Sequence, residues 1–232
     1  MNWVSDLRFA VRMIRTNLWF SAAIVFTLAL GIGANTTVFT LVNAVLHKPL
    51  PFPGGERLVM VFADNIARGR DRMPMSWVDY RDYQEAAGAF ERLEAFRFTR
   101  ASISEKGNPP EQLRGIIITT GMFEMLQAKP VAGRGFVSAD GKPGAERVAL
   151  IGYGVWKDRY GKAADVIGRT VRLNEKPAVI IGVMPEGFKF PSNEDVWLAA
   201  APEANWEKRD ARDFQLIGML KPERSLTDAQ AD

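Results

Sequence analysis

The chain has 232 residues, 47% of them apolar and 25% charged, so it can bury a core and is neither a disordered polar chain nor a bundle of membrane helices. Its formal charge of +3 invites a nucleic-acid reading, but Arg8, Arg12 and Arg15 face only Asp6 in the N-terminal stretch and the remainder is close to neutral, so no nucleic-acid partner is expected. With no cysteine and a single histidine, His47, disulfides, thiolate chemistry, two-His zinc motifs and most acid–base templates are excluded.

In residues 1–17, Leu7, Val11 and Ile14, continued by Leu18, recur at helical spacing while Arg8, Arg12 and Arg15 occupy a neighbouring face. This predicts a cytoplasmic amphipathic helix lying on membrane lipid, with Trp3 and Leu7 in the interface and the arginines against anionic headgroups. Residues 16–46 carry no charge, and about 20 apolar residues suffice to cross a bilayer. A transmembrane helix is therefore expected over 18–46, spanning near Leu18 to Val42 and continuing beyond the outer surface, with Trp19 and Phe20 at the inner interface. The preceding arginines place the N-terminus in the cytoplasm and everything after Lys48 outside the inner (cytoplasmic) membrane. Val42-Asn43-Ala44 loosely resembles a signal-peptide cleavage site, yet signal peptides have apolar regions of only about 7 to 15 residues. Gly31, Gly33, Ala34, Asn35, Thr36 and Thr37 gather in the outer half of the span. Gly33 and Thr37 have the spacing used where membrane helices pair, and a buried Asn35 needs a partner, so packing against other transmembrane helices is expected here.

Pro49, Pro51, Pro53 and Gly54-Gly55 form a connector over 47–55. The domain from 56 to 232 opens with a strand at Arg57–Ala63 and a helix at Ser76–Glu91, capped by Ser76 with Asp79 and facing the core through Trp77, Tyr80 and Tyr83. Strands are expected at 94–99, 101–105 and 112–119, then a short helix near 121–127 and a Gly133-Arg134-Gly135 turn. A strand at 147–151, a helix at 153–160, a hairpin of 169–174 with 178–184 around Asn174-Glu175-Lys176, and strands at 196–199 and 214–220 follow. Short strands with scattered helices give an α+β domain. Ser225 or Thr227 with Asp228 opens a helix at the very end, so the chain is expected to be the N-terminal part of a longer protein.

Gly141-Lys142 and Gly161-Lys162 lack the rest of a phosphate loop, and Gly152-Tyr153-Gly154 lacks the third glycine of a dinucleotide fingerprint. Asp79 and Asp82 lie one helical turn apart, and Asp140, Glu146, Glu194 and Asp195 sit in loops, but nothing else converges on them. Arg134 and Arg169 read as turn and surface residues. No catalytic residue, cofactor or metal site is expected, and the chain is read as non-enzymatic.

The segments Asp6-Leu7-Arg8-Phe9-Ala10, Phe26–Asn35, Asn43-Ala44-Val45-Leu46 and Lys48-Pro49-Leu50-Pro51-Phe52 resemble the N-terminus of MacB/FtsX-type ABC transporter permeases, particularly the acidobacterial-type branch. The resemblance continues through Ser76–Asp82, Gly133-Arg134-Gly135-Phe136, Val148–Gly152, Gly168-Arg169, Leu173-Asn174, Ile181–Phe188 and Asp195-Val196-Trp197-Leu198, which are similar to a MacB-like periplasmic core domain. It implies a transmembrane helix followed by a two-lobed mixed α+β extracytoplasmic domain, a porter-like βαβ lobe with a mostly β insertion. It also implies a permease-type subunit that couples a separate cytoplasmic ABC ATPase to the periplasmic domain for export or mechanotransmission, beside a second permease copy or half and a periplasmic partner protein. Such permeases carry at least three further membrane helices, whereas this chain has one. The alternative is a single-pass membrane-anchored periplasmic interaction or sensing domain without transport activity.

Overall fold

The computed structural model describes residues 3–46, 52–65, 69–86, 88–105 and 107–231. Pro49 and Pro51 of the expected connector lie outside the described residues. The chain forms two compact units, Met1–Pro49 and Leu50–Asp232.

The first unit holds α1 (Trp3–Thr16) and α2 (Leu18–Leu46). Helical hydrogen bonding runs through Asn17, whose N–H donates to the Met13 carbonyl at 3.1 Å while its own carbonyl accepts from Ser21. Leu18–Thr40 within α2 is long and apolar enough to cross a membrane, and none of it is buried against protein. At 1.5 Å per residue the 29 residues of α2 reach about 43 Å, more than a hydrocarbon core of about 30 Å.

In the second unit, β1 (Leu58–Val61), β2 (Ala63–Asn65), β3 (Arg70–Met73) and β4 (Met75–Ser76) lead into α3 (Trp77–Ala86). The expected cap is present: Asp79 N–H donates to Ser76 Oγ at 3.0 Å and Ser76 N–H to Asp79 Oδ2 at 3.1 Å. The helix stops at Ala86 rather than Glu91, because Phe90 opens β5 (Phe90–Glu105) and pairs with Leu220. Trp77 and Tyr80 are core residues as expected, but Tyr83 is 43% exposed; it lies in a last turn that is exposed from Arg81 to Ala86.

β5 is one strand where the local pattern suggested two, since β6 (Asn108–Ile118) pairs with it across the polar Thr99-Arg100 step. The remaining elements are α4 (Met122–Met125), β7 (Ala132–Gly133), β8 (Val148–Ile151), α5 (Tyr153–Asp158), β9 (Thr170–Leu173), β10 (Lys176–Val183), β11 (Val196–Ala199), β12 (Arg212–Leu220) and α6 (Leu226–Ala231). The β9–β10 turn is Asn174-Glu175 with φ of 51° and 66°, the left-handed pair that a two-residue hairpin requires. Ser225 caps α6: its Oγ accepts the Asp228 N–H at 3.3 Å while its own N–H donates to Asp228 Oδ2 at 2.7 Å.

The mixed α+β character expected from the sequence is present, built on one ten-stranded sheet in the order β1-β12-β5-β6-β11-β8-β10-β7 with β9 and β4 branching from it. β9 pairs with β10 on one side and, through Ile103↔Leu173 and Ser104↔Arg172, with β5 on the other. The strands β5, β6, β11, β8, β10 and β9 thereby close into a ring. Every ring strand contributes to one buried cluster that includes Ile103, Leu113, Leu198, Ile151, Ile180 and Leu173, and Val155, Tyr160 and Val166 join it from α5 and the segment after it. Outward-facing residues of the same strands, among them Trp197, Leu150 and Ile116, pack with Phe123 and Met125 of α4 in a second cluster. Trp77, Tyr80, Trp206 and Phe214 anchor a third between α3 and β12.

Candidate functional site

The residues singled out by the sequence lie in the first unit. Arg8, Arg12 and Arg15 are exposed on α1, while the side chains of Trp3, Leu7, Val11 and Ile14 lie outside the described residues. On α2, a Cβ added at Gly31 or Gly33 would meet nothing within 4 Å. The Thr37 hydroxyl donates to the Gly33 carbonyl at 2.8 Å and Thr27 to Ala23 in the same way, which is how hydroxyls satisfy themselves in an apolar medium. The Asn35 side chain is exposed and makes no hydrogen bond among the described residues.

The carboxylates noted in the sequence are mostly engaged in the fold. Arg209 bridges Asp79 at 2.9 Å and Asp82 at 2.5 Å, and Arg212 approaches Asp79 at 3.4 Å. Burial alone would raise the Asp79 carboxyl; hydrogen bonds from Ser76 and the two arginines outweigh it and hold the group below its usual range. Arg134 forks onto Asp140 at 2.7 and 3.0 Å, Arg169 pairs with Asp165 at 2.7 Å, Arg114 with Asp195 at 3.2 Å, and Glu194 accepts from Ser192 N–H at 2.8 Å. Glu146 stays exposed.

Two features escaped sequence reading. The first is Glu94, 7% exposed in β5. The Thr119 hydroxyl lies in short hydrogen-bond contact with Glu94 Oε2, accepts the Ala95 N–H at 3.0 Å, and stands 3.2 Å from the Ala95 carbonyl. The Ala95 carbonyl also accepts the Thr119 N–H at 3.0 Å, which leaves the hydroxyl proton for Glu94 Oε2. Burial pushes the Glu94 carboxyl up to about 7, against the Thr119 hydrogen bond and the charge of Arg92. Burial and the nearby Glu94 also raise the Tyr80 phenol above its usual range, with Gln84 donating to its oxygen at 2.9 Å. The signal was present in period 2: Glu94 shares a strand face with Phe96, which is 1% exposed.

Because Glu94 holds its proton more tightly folded than unfolded, the native state binds more protons between its ordinary 4.5 and about 7, and stability falls as pH rises across that window, then levels. Relative to Glu94→Gln, wild type is expected to lose on the order of 3 kcal/mol over that range. Urea midpoints of both proteins from pH 4 to 8 test this; parallel profiles would contradict a neutral Glu94.

The second feature is a cleft of about 630 Å³ at one end of the strand ring. Each ring strand lends it a residue: Thr99 from β5, Ile117 from β6, Leu198 from β11, Val148 from β8, Ala178 from β10 and Thr170 from β9. The segment carrying Pro202, Glu203 and Trp206 forms another wall. Arg97 lies over the Trp206 ring at 4.6 Å and pairs with Asp213 at 2.6 Å; Lys176 pairs with Glu203 at 3.0 Å. Arg147 donates to the Leu173 carbonyl at 2.8 Å, and burial lowers its pKa while Glu203 opposes the shift.

The sequence profile described as the MacB-like periplasmic core domain matches residues 21–232. No curated protein sequence matches the chain significantly. Among solved structures, the chain is similar to a domain of a protein named as a permease from Porphyromonas gingivalis, with a TM-score of 0.59 at 18% identity over 75% of this chain and 79% of that one. It is also similar to the extracellular domain of the noncanonic ABC-type transporter YknZ from Gram-positive bacteria, with a TM-score of 0.53 at 14% identity over 75% and 86% of the two chains. The periplasmic region of MacB from Actinobacillus actinomycetemcomitans gives 0.53 at 14% identity over 75% and 78%. At these identities the structural likeness speaks for the fold.

Proposed function

The chain belongs to the family of MacB-like periplasmic core domains, and from that membership we propose that it acts as a permease-type subunit of an ABC transporter, non-enzymatic by itself. A separate cytoplasmic ATPase drives it, and the outer domain carries the resulting motion to export or mechanotransmission. The observation that carries this reading is that the profile match begins inside α2 and continues to the last residue, so the apolar helix and the sheet domain fall within one family unit. In this reading residues 1–17 rest on lipid at the inner face of the inner membrane, 18–46 cross it, 47–55 connect, and 56–232 form the extracytoplasmic domain. Gly31, Gly33, Asn35 and Thr37 pack against membrane helices of a second permease copy or half. The small-residue spacing of Gly33 and Thr37 and the polar Asn35 amide, which makes no hydrogen bond among the described residues, support that role.

The absence of cysteine makes the topology directly measurable. In intact spheroplasts a membrane-impermeant maleimide is expected to label Ser138→Cys and to spare Ser5→Cys, and the tagged chain purified from its native membranes is expected to retain an ABC ATPase identified by mass spectrometry. Labelling of Ser5→Cys alone would reverse the orientation. Correct topology with no ATPase retained would favour the single-pass interaction or sensing domain.

A further inference from the structure

The cleft at the end of the strand ring has the size of a small-molecule site, for which about 300–1,000 Å³ is usual. Its walls are largely apolar, with Ile117, Val148, Pro177, Val179 and Leu198 among the lining residues. Its lining carries three cations, Arg97, Arg147 and Lys176, and three carboxylates, Asp140, Glu146 and Glu203, but they are unevenly paired. Arg97 and Lys176 have carboxylate partners in Asp213 and Glu203, and Asp140 is held by Arg134. Arg147 is half-buried and has no carboxylate within ion-pair distance among the described residues; its one hydrogen bond goes to a backbone carbonyl. Glu146, its neighbour in sequence, is exposed, where an unpaired charge is hydrated at little cost, unlike a cation inside a cleft. The two buried side-chain atoms of the lining residues that lack any partner, Arg97 Nε and Trp206 Nε1, are both donors. What the cleft leaves open is an acceptor for the Arg147 guanidinium, on which Glu203 acts only from beyond ion-pair distance.

The geometry points to a binding site for a small amphipathic anion, its carboxylate, sulfonate or phosphate seated on Arg147 and its apolar body along Ile117, Val179 and Leu198. The site rests on the cleft alone and does not require the transport reading. Arg147 supplies a planar, always-charged fork matched to such a headgroup.

The test uses the full chain in phosphatidylcholine nanodiscs, titrated calorimetrically with naphthalene-2-sulfonate against empty discs. Saturable one-to-one binding is expected, with the uncharged 2-naphthylmethanol at least tenfold weaker. Arg147→Gln should weaken sulfonate binding at least tenfold and leave the alcohol unchanged, its urea midpoint reporting that it folds. Should that variant fail to fold, Ala201→Trp, which fills the cleft from its rim, carries the same expectation of lost binding. Absence of saturable binding to wild type overturns the site, as does equal sulfonate affinity in wild type and Arg147→Gln, or in wild type and Ala201→Trp. Repeating the titration in discs containing phosphatidylglycerol separates the sources: competition assigns the anion to a lipid, and undiminished binding assigns it to a soluble molecule.

Discussion

Alanine at Gly133 is expected to cost the outer unit about 3–5 kcal/mol, the sum of a strained left-handed residue and an overpacked contact. Gly133 has φ of 74°, and a Cβ there would stand 2.1 Å from the Ile181 carbonyl oxygen and 2.8 Å from the Gly182 Cα. These are backbone atoms of β10, so no side chain can turn aside. The two glycines face each other across the β7–β10 ladder, at the point where the register of β10 against β8 slips between Ile180 and Gly182. The bulge draws β7 close, and the Arg134 N–H donates to the Ile181 carbonyl at 2.8 Å. Gly182→Ala meets the Arg134 carbonyl and Leu150 Cδ2, each at 2.6 Å, and is expected to be nearly as severe. Gly154→Ala, inside α5 with nothing within 4 Å of the added methyl, is the control and should be neutral or slightly stabilising. Urea denaturation of the three variants followed by tryptophan fluorescence reads the difference; equal midpoints would mean that β7 does not dock as described.

Trp197→Ala is the second large effect, at about 3–5 kcal/mol for an aromatic removed from a core. Trp197 is fully buried in β11, against Phe188 and Phe123 at ring-centroid distances of 5.5 and 6.2 Å. Its Nε1–H donates to the Phe190 carbonyl at 3.0 Å. It is the largest of the ring-strand residues that meet α4 and the 188–190 segment, so its loss opens a large cavity in that cluster. Trp197→Phe keeps much of the volume and loses the donor, leaving a buried carbonyl unpaired, and should cost about 1–3 kcal/mol. A substitution series in which Phe is as damaging as Ala would place the weight on the hydrogen bond rather than on packing.

Features governed by neighbours in sequence were legible before the structure. The uncharged run of 16–46 fixes a helix long enough to span a bilayer, because charge and length are local quantities. Since a cap needs only residues three apart, Ser76 with Asp79 announced one helix start and Ser225 or Thr227 with Asp228 another, of which the structure selects Ser225. Asn174-Glu175-Lys176 announced a hairpin turn, which the structure narrows to Asn174-Glu175. Where long-range pairing competed with local pattern, pairing won: β5 runs unbroken through Thr99-Arg100 because β6 pairs along it, and α3 ends early because Phe90 joins β12. Of the candidate site, the sequence supplied the membrane segment and its small-residue cluster. Glu94, Arg147 and Trp206 were hidden, since each owes its character to what lies across from it rather than beside it.

The sequence by itself determined the membrane-length helix, its basic foot, most of the longer strands and helices of the outer domain, and enough ordered motif to identify the family; it missed β3, β4 and β7 and divided β5. The tertiary structure alone decided that β5 and β9, some seventy positions apart, pair and close the ring. That closure depends on Ile103 meeting Leu173, a contact no local period encodes, and it sets six strand ends around one cleft. It leaves a half-buried Arg147 there with no carboxylate in ion-pair distance among the described residues, a property that exists only once the chain has folded back on itself.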